Sequence, residues 1–181
     1  MTTASASHAL PRRSAAEQAR LDARMVELWE QRITFNQMLG IKVLSLRPGD
    51  VRLRLDMRPA LVGHYAYGRL HGGAISATLD TMAGMALLVE LAEKHADEGA
   101  DQILHRFNRM GTIDLRVDYL RPSRRGVALI ADVACTRTTR QVAFARGEVR
   151  HEDAPGEAPL AQAQGTFMIY DRPPGWPTWT P

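Results

Sequence analysis

Cysteine is nearly absent from this sequence, since Cys135 is the one cysteine in 181 residues. A single cysteine excludes an intramolecular disulfide framework and also a zinc site built from several cysteines. We therefore expect a protein of the reducing cytoplasm, and we expect no metal site.

The chain also has little excess of positive over negative charge. The 23 lysine and arginine residues exceed the 20 aspartate and glutamate residues by only three, and the acidic residues are spread along the whole chain. Without a basic stripe, nucleic-acid binding has little support. A small anionic ligand remains compatible with this charge.

Long apolar runs are few. Residues 1–13 are rich in alanine, serine and threonine and superficially resemble a transit peptide, but they lack the apolar core of a secretory signal. We expect a disordered leader there. From Gly73 to Val89 the one charge is Asp80, and this stretch reaches the lower end of the membrane-spanning range of about 17 to 25 residues. Because glycine, serine and threonine dilute it, we expect a buried core helix and no membrane partner.

The first half of the chain predicts a helix followed by a hairpin. Ser14 with Glu17 three residues later is a capping-box pattern, and apolar residues then recur at helical spacing, which predicts an amphipathic helix over about 14–32. Apolar and polar residues alternate over 41–46 and 51–57, on either side of a Pro-Gly-Asp turn. We expect the helix to cover a face of another element.

The second half predicts one long helix and four strands. Prolines and glycines over 58–72 indicate an ordered loop, followed by the apolar helix over about 73–93. The segment 94–109 is charged and loop-like, with room for a short helical turn. Alternation returns in four segments, which we expect to be antiparallel neighbours joined by hairpins: 113–119, 127–137, 141–151 and 160–170.

The predicted fold class is therefore α+β, with about six antiparallel strands curled around one long helix. A helix that is apolar nearly all round must be enclosed. We divide the chain into a leader with an N-terminal helix (1–32), a main domain (33–170) and a tail rich in proline and tryptophan (171–181). Such a sheet has a free edge, which a second copy of the chain could cover.

Two features carry candidate chemistry. The sequence His71-Gly72-Gly73 stands where the loop enters the apolar helix, and glycines with free N–H groups at a helix start can bind an anion or oxyanion. The alternative is a purely structural role, in which the glycines make the helix start flexible and the histidine is hydrogen-bonded within the protein. Asp80 is a carboxylate within an apolar helix, which costs several kcal/mol unless it is paired or functional. It is a candidate general base or nucleophile, or else a structural aspartate.

The spacing of these two features indicates a shared site. His71 and Asp80 are nine positions apart, which is about 13 Å along a helix rising 1.5 Å per residue. One small reacting group can hardly contact both in a single chain. The simplest arrangement joins two subunits about a two-fold axis.

These residues resemble a known family. The His71-Gly72-Gly73 sequence, Asp80 in the following helix and the segment GTIDLRVDYLRP at 111–122 resemble hotdog-fold acyl-CoA thioesterases of the PaaI type. Within that family the resemblance is to the YigI-like branch, which acts on medium- and long-chain acyl-CoA. It covers about residues 33–170.

The resemblance implies roles for matching residues. Asp80 resembles the catalytic carboxylate, acting as base or nucleophile, and Gly72 the residue whose backbone N–H polarises the thioester carbonyl, with His71 and Gly73 beside it. Thr112 falls where relatives place a serine or threonine that orients water. Relatives often carry an asparagine a few residues before the histidine. This chain has His64-Tyr65 there, and either side chain could supply a hydrogen bond.

The resemblance also implies a substrate and partners. Medium- or long-chain, or aryl, acyl-CoA is the expected substrate, so coenzyme A is part of the substrate and no separate cofactor is expected. The expected assembly is a homodimer, or a tetramer of such dimers. Five arginines are candidates for the coenzyme A phosphates, or are solvated loop residues: Arg121, Arg124, Arg125, Arg137 and Arg140.

Two other functions stay open at this stage. One is a hotdog dehydratase or hydratase of 3-hydroxyacyl thioesters, in which a histidine and an acid act together across the dimer. The other is a non-catalytic acyl-CoA sensor that uses its N-terminal helix for interactions.

Overall fold

The computed structural model describes residues 12–169, so most of the predicted leader and the whole predicted tail lie outside the described residues. The helices are α1 (Ala15–Glu27), extended by one π-helical segment (Leu28–Arg32), α2 (Thr34–Leu39), α3 (Gly72–Lys94) and α4 (Ala100–Phe107). The strands are β1 (Ile41–Arg47), β2 (Asp50–Leu55), β3 (Val62–His64), β4 (Arg69–Leu70), β5 (Met110–Tyr119), β6 (Leu129–Thr138), β7 (Val142–His151) and β8 (Ala161–Ile169).

Six strands form one antiparallel sheet in the order β1-β2-β6-β7-β8-β5, and β3 pairs with β4 in a separate short ladder. The long helix α3 packs against all six strands of the large sheet. The predicted α+β architecture, a six-stranded sheet around one long helix, is confirmed.

Helix α3 is the core of the molecule. It is long and apolar enough to cross a membrane by length and composition, but 67% of its most apolar window is buried inside the protein. Met82, Met85, Leu87 and Leu88 are fully buried. The prediction of a buried core helix is therefore confirmed.

The N-terminal helix belongs to the same core. Trp29 is fully buried, and its indole N–H donates to the carbonyl oxygen of Thr81 on α3 at 3.0 Å. Half of the predicted capping box forms, because Ser14 Oγ accepts from the Glu17 N–H at 3.2 Å. The Glu17 carboxylate instead accepts from the N–H of Ala100 at 2.8 Å, which ties α1 to the start of α4.

Three local predictions were incomplete or wrong. The segment 94–109 contains α4, a two-turn amphipathic helix, and α2 was not predicted at all; it ends at Gly40, whose φ of 70° is left-handed. Strand β5 does not form a hairpin with β6. It pairs with β8, whereas β6 pairs with β2 and β7. The connection 120–128 is long enough to cross the sheet, and Pro122 within it cannot continue a ladder.

Candidate active site

His71 is the N-cap of α3. Its side-chain Nδ1 accepts a hydrogen bond from the backbone N–H of Gly73 at 2.8 Å. The backbone N–H of His71 donates to the Leu61 carbonyl oxygen at 2.8 Å. A neutral imidazole has one acceptor nitrogen, so the proton of neutral His71 lies on Nε2. The imidazole therefore caps the start of α3 through Nδ1, and its Nε2–H is available as a hydrogen-bond donor.

Gly72 leaves a free donor at the same helix end. No residue that the structure describes accepts a hydrogen bond from its N–H, whereas its carbonyl accepts one from Tyr119 Oη at 2.9 Å. The first N–H groups of a helix lack partners within the helix and attract negative charge. Since the Gly73 N–H is already bonded to His71, the Gly72 N–H is the donor at this helix end that is available to a ligand.

Asp80 is held by a residue from the sheet. Its Oδ1 accepts a hydrogen bond from Thr112 Oγ1 at 2.9 Å, and the aspartate is partly buried. The β5–β8 ladder is irregular between Thr112 and Asp114, and Ile113 within this bulge is half exposed. A β-bulge redirects neighbouring side chains, so this one contributes to aiming Thr112 at Asp80.

A cavity of about 300 Å³ opens beside this pair. Its walls are mostly apolar, and they come from α2 and its N-cap, α3, β5, β8 and the end of α4: Ile33, Phe35, Asn36, Ala77, Asp80, Thr81, Gly84, Phe107, Met110, Gly111, Thr112 and Phe167. A carboxylate at an apolar cavity suits a substrate with a reactive polar group and an apolar chain.

Asn36 also lines this cavity, although no pattern in the sequence pointed to it. The residue is 1% exposed, and its Nδ2 has no hydrogen-bond partner among residues 12–169. An unpaired buried amide is costly, commonly by about 1 to 3 kcal/mol, unless a ligand or water satisfies it. It is the kind of group that marks a binding cavity, but asparagine spacing alone does not reveal burial.

Comparison with known proteins identifies the family of this chain. Residues 67–157 match the family model of the thioesterase superfamily. The matched range contains the His71-Gly72-Gly73 sequence, Asp80 and Thr112.

The chain belongs to the thioesterase superfamily.

Its relatives in sequence and structure are consistent with this family. It is 36% identical over 143 residues to the medium/long-chain acyl-CoA thioesterase YigI of Salmonella typhimurium, covering 79% of this chain and 90% of the relative. The Escherichia coli K12 protein of that name is 35% identical over the same shares. A Shewanella oneidensis protein related to the thioesterase superfamily superposes with a TM-score of 0.76 at 28% identity, covering 87% of this chain and 100% of that one. The predicted hotdog fold is confirmed.

His64 and Tyr65, the predicted substrate contacts of this thioesterase-superfamily member, do not line the cavity beside Asp80. His64 ends β3 and Tyr65 begins the loop to β4; both are exposed, and Tyr65 is 92% exposed. The His64 ring lies 4.8 Å from the Tyr67 ring, over which the Arg69 guanidinium sits at 4.7 Å. The structure thus places an aromatic loop beside the start of α3.

The predicted arginines fall into two groups. Arg121, Arg124 and Arg125 lie in the connection 120–128. Arg121 forms an ion pair with Glu157 at 3.2 Å, and Arg124 forms one with Asp153 at 2.5 Å; both acids lie between β7 and β8. Exposed pairs of this kind contribute little stability and can exchange for a ligand.

Arg137 lies near the far end of β6, and Arg140 lies just beyond that end. Strand β6 spans about 30 Å at 3.3 Å per residue, so the five arginines do not form one cluster. Arg140 lines a separate cleft of about 700 Å³ with Lys94 and His95.

The connection 120–128 is tied to the helix start. Ser123 Oγ accepts from the Leu70 N–H at 2.9 Å, directly before His71. Buried His151 braces the same connection, because its Nε2 accepts from the Arg124 N–H at 2.9 Å. Burial, followed by the nearby charge of Arg124, lowers the pKa of His151 below its ordinary value.

Proposed function

We propose that this protein hydrolyses the thioester of a medium- or long-chain, or aryl, acyl-CoA to a free acid and coenzyme A. The observation that carries the proposal is the Thr112–Asp80 hydrogen bond at an apolar cavity. The relatives named YigI are medium/long-chain acyl-CoA thioesterases, which supports the same substrate class.

Asp80 is the proposed base or nucleophile. Thr112 occupies Oδ1 of the carboxylate, which leaves Oδ2 to accept a proton from water as the water oxygen attacks the thioester carbon. The C–S bond then breaks, and the thiolate takes up a proton to leave as coenzyme A. In the nucleophilic version Oδ2 attacks the carbon, the C–S bond breaks, and the thiolate leaves and takes up a proton from solvent. Water then hydrolyses the resulting mixed anhydride to the free acid and restores the Asp80 carboxylate. A positioned base contributes about 10² to 10⁴ in rate.

Gly72 supplies the proposed oxyanion donor. Its free N–H would bind the carbonyl oxygen as negative charge develops there, an effect worth about 10² to 10³ in rate for one donor. Gly72 and Asp80 lie eight residues apart on α3, about 12 Å along the axis. The two groups of one chain are therefore too far apart to act on one thioester.

Two chains meeting at β5 would solve this problem. Strand β5 is an edge of the six-stranded sheet, with Thr112 near its start beside Asp80 and Tyr119 at its end beside Gly72. Antiparallel pairing of two β5 strands about a two-fold axis midway between Thr112 and Tyr119 would put Thr112 opposite the partner subunit's Tyr119. We propose this homodimer, alone or within a tetramer, with Asp80 facing Gly72 of the partner subunit.

The remaining assignments follow from this site. Arg121, Arg124 and Arg125 are the proposed phosphate contacts, since their connection is tied to the segment that leads into Gly72. His64 and Tyr65 are proposed contacts from the neighbouring loop, whereas Arg137 and Arg140 lie about 30 Å from the first group and are not proposed for the same phosphates. We propose a cytoplasmic enzyme whose chemistry uses its own side chains and backbone.

The test is a panel of acyl-CoA substrates from short to long chains, with benzoyl- and phenylacetyl-CoA, assayed by thiol release. Wild type should hydrolyse medium or long chains, and Asp80→Asn should lose at least about 10²-fold in kcat while remaining folded. A variant with near-normal turnover would contradict the assignment.

Crotonyl-CoA hydration, assayed in parallel, tests the dehydratase alternative. The His71 cap argues against it, because a histidine whose Nδ1 is occupied by Gly73 carries its proton on Nε2 and cannot accept another without breaking the cap. Binding of acyl-CoA with neither reaction would instead indicate a sensor.

A further inference from the structure

The cavity beside Asp80 extends along α3. Four helix residues at spacings of three and four line it, so they share one face: Ala77, Asp80, Thr81 and Gly84. Gly84 lies one turn beyond Asp80, about 6 Å along the helix axis. A chain attached to a thioester at Asp80 would pass this position.

Gly84 has no backbone reason to be glycine. It sits in the middle of α3, and the glycines with positive φ are others, such as Gly40 and Gly68. Glycine weakens a helix interior relative to alanine. Packing does not require it either, because a Cβ at position 84 would meet no heavy atom within 4 Å. At Gly147, by contrast, an added Cβ would lie 2.3 Å from a Val133 methyl carbon.

The space that Gly84 leaves is bordered by apolar groups. Phe107 lines the same cavity and stacks edge-on against Trp29, with ring centroids 4.9 Å apart, and Trp29 is in turn bonded to the Thr81 carbonyl. These contacts locate Phe107 near the turn that contains Thr81, between Asp80 and Gly84. Surroundings of this kind suit methylene groups.

We propose that Gly84 determines acyl-chain length by keeping open the part of the pocket one helical turn beyond Asp80. The inference rests on the proposed function and specifies its substrate class: acyl chains long enough to extend past Gly84. It makes Gly84 a residue that sets specificity and takes no part in the chemistry.

The test is a graded series, Gly84→Ala and Gly84→Leu, assayed with acyl-CoA of four to sixteen carbons. Because alanine and leucine favour helix, the variants should fold. With Gly84→Leu, kcat/KM for the longest chains should fall by about tenfold or more, through KM, and the shortest chains should change by less than about threefold. Gly84→Ala should give a smaller shift in the same direction.

Glu93→Leu is the matched control, since it adds a leucine to α3 outside this cavity, where Glu93 pairs with Arg12. Its chain-length profile should equal that of wild type. An unchanged profile in Gly84→Leu overturns the proposal, and so does an equal loss at every chain length. If Gly84→Leu no longer self-associates on sedimentation, the proposal is also overturned, because the space beside Gly84 would then be occupied by a second copy of the chain.

Titration with non-hydrolysable thioether analogues of the same chain lengths separates this proposal from the proposed function. If wild type binds long-chain analogues and Gly84→Leu binds only short ones, the pocket assignment stands even when no hydrolysis is found. If hydrolysis is found but analogue binding shows no dependence on residue 84, the pocket assignment alone fails.

Discussion

Thr112 Oγ1 donates a 2.9 Å hydrogen bond to Asp80 Oδ1 across 32 positions of sequence. The bond joins the edge strand of the sheet to the middle of its central helix. It holds one oxygen of the carboxylate, and no side chain among the described residues donates to the other. A carboxylate held in this way keeps one orientation, which a general base or a nucleophile needs.

Replacing Thr112 by valine should reduce kcat by about 10- to 100-fold, because a misplaced catalytic group loses rate even when it is still present. Valine keeps the β-branched shape and deletes the donor. Thr112→Ser keeps the hydroxyl and should retain most of the activity. Steady-state kinetics on both variants checks this, and wild-type turnover in Thr112→Val would remove the bond from the mechanism.

Replacing Gly72 by proline should abolish its N–H with little damage to the helix. Gly72 is the first residue of α3, where proline is favoured, and His71 has φ −65° and ψ 136°, which is the extended backbone that precedes proline. We expect a loss of about 10² to 10³ in kcat.

Gly72→Ala is the control for this change. It keeps the N–H and introduces the same Cβ, which would lie 3.2 Å from Tyr119 Cζ, a side-chain atom that has to shift slightly. Equal losses in Gly72→Ala and Gly72→Pro would show that crowding against Tyr119, and not the missing donor, explains the effect.

Much of the fold was predictable because local periodicity reports burial. The alternation in 141–151 and 160–170 corresponds to β7 and β8, and the apolar run from Gly73 corresponds to α3. The place of β5 was not predictable in this way. Alternation shows that a segment is a strand, but its neighbour depends on the length and path of the connection 120–128.

The candidate site was predictable where a residue conflicts with its surroundings. Asp80 stands out as a charge in an apolar helix, and glycines stand out at a helix start. Asn36 and His151 gave no such signal, because their burial arises from α2 and from the connection 120–128 packing against distant elements. Polar residues at unremarkable positions acquire a role only through tertiary contacts.

His151 should make stability depend on pH. Burial, then the charge of Arg124, lowers its pKa in the folded protein, so the unfolded chain takes up a proton first as pH falls. The contribution of neutral His151 is fully present above about pH 6.5 and is lost as pH falls below that value, by at most about 1.4 kcal/mol per pH unit.

The variant His151→Gln does not titrate and can still accept from the Arg124 N–H, so it should show a smaller fall in unfolding free energy between pH 7 and 5. Urea unfolding of both proteins across this range measures the difference. Parallel pH dependences would show that His151 does not contribute.

The shared site itself can be tested by mixing two inactive variants. If Asp80 of one chain serves Gly72 of the other, each dimer has two equivalent sites, and each site draws on both subunits. In a heterodimer of Asp80→Asn with Gly72→Pro, one site carries both changes and the other is wild type in both residues. Such a heterodimer should have about half of the wild-type activity.

With random reassortment at equal amounts, half of the dimers are mixed, so the mixture should recover about a quarter of wild-type turnover. Each variant mixed with wild type gives the reference for dilution, and native mass spectrometry establishes that heterodimers have formed. If both groups instead acted within one chain, every site would keep one defect, because Asp80 and Gly72 would always come from the same polypeptide. Heterodimers without recovered activity would therefore exclude the cross-subunit site, and would require Gly72 and Asp80 to approach each other far more closely than a straight α3 allows.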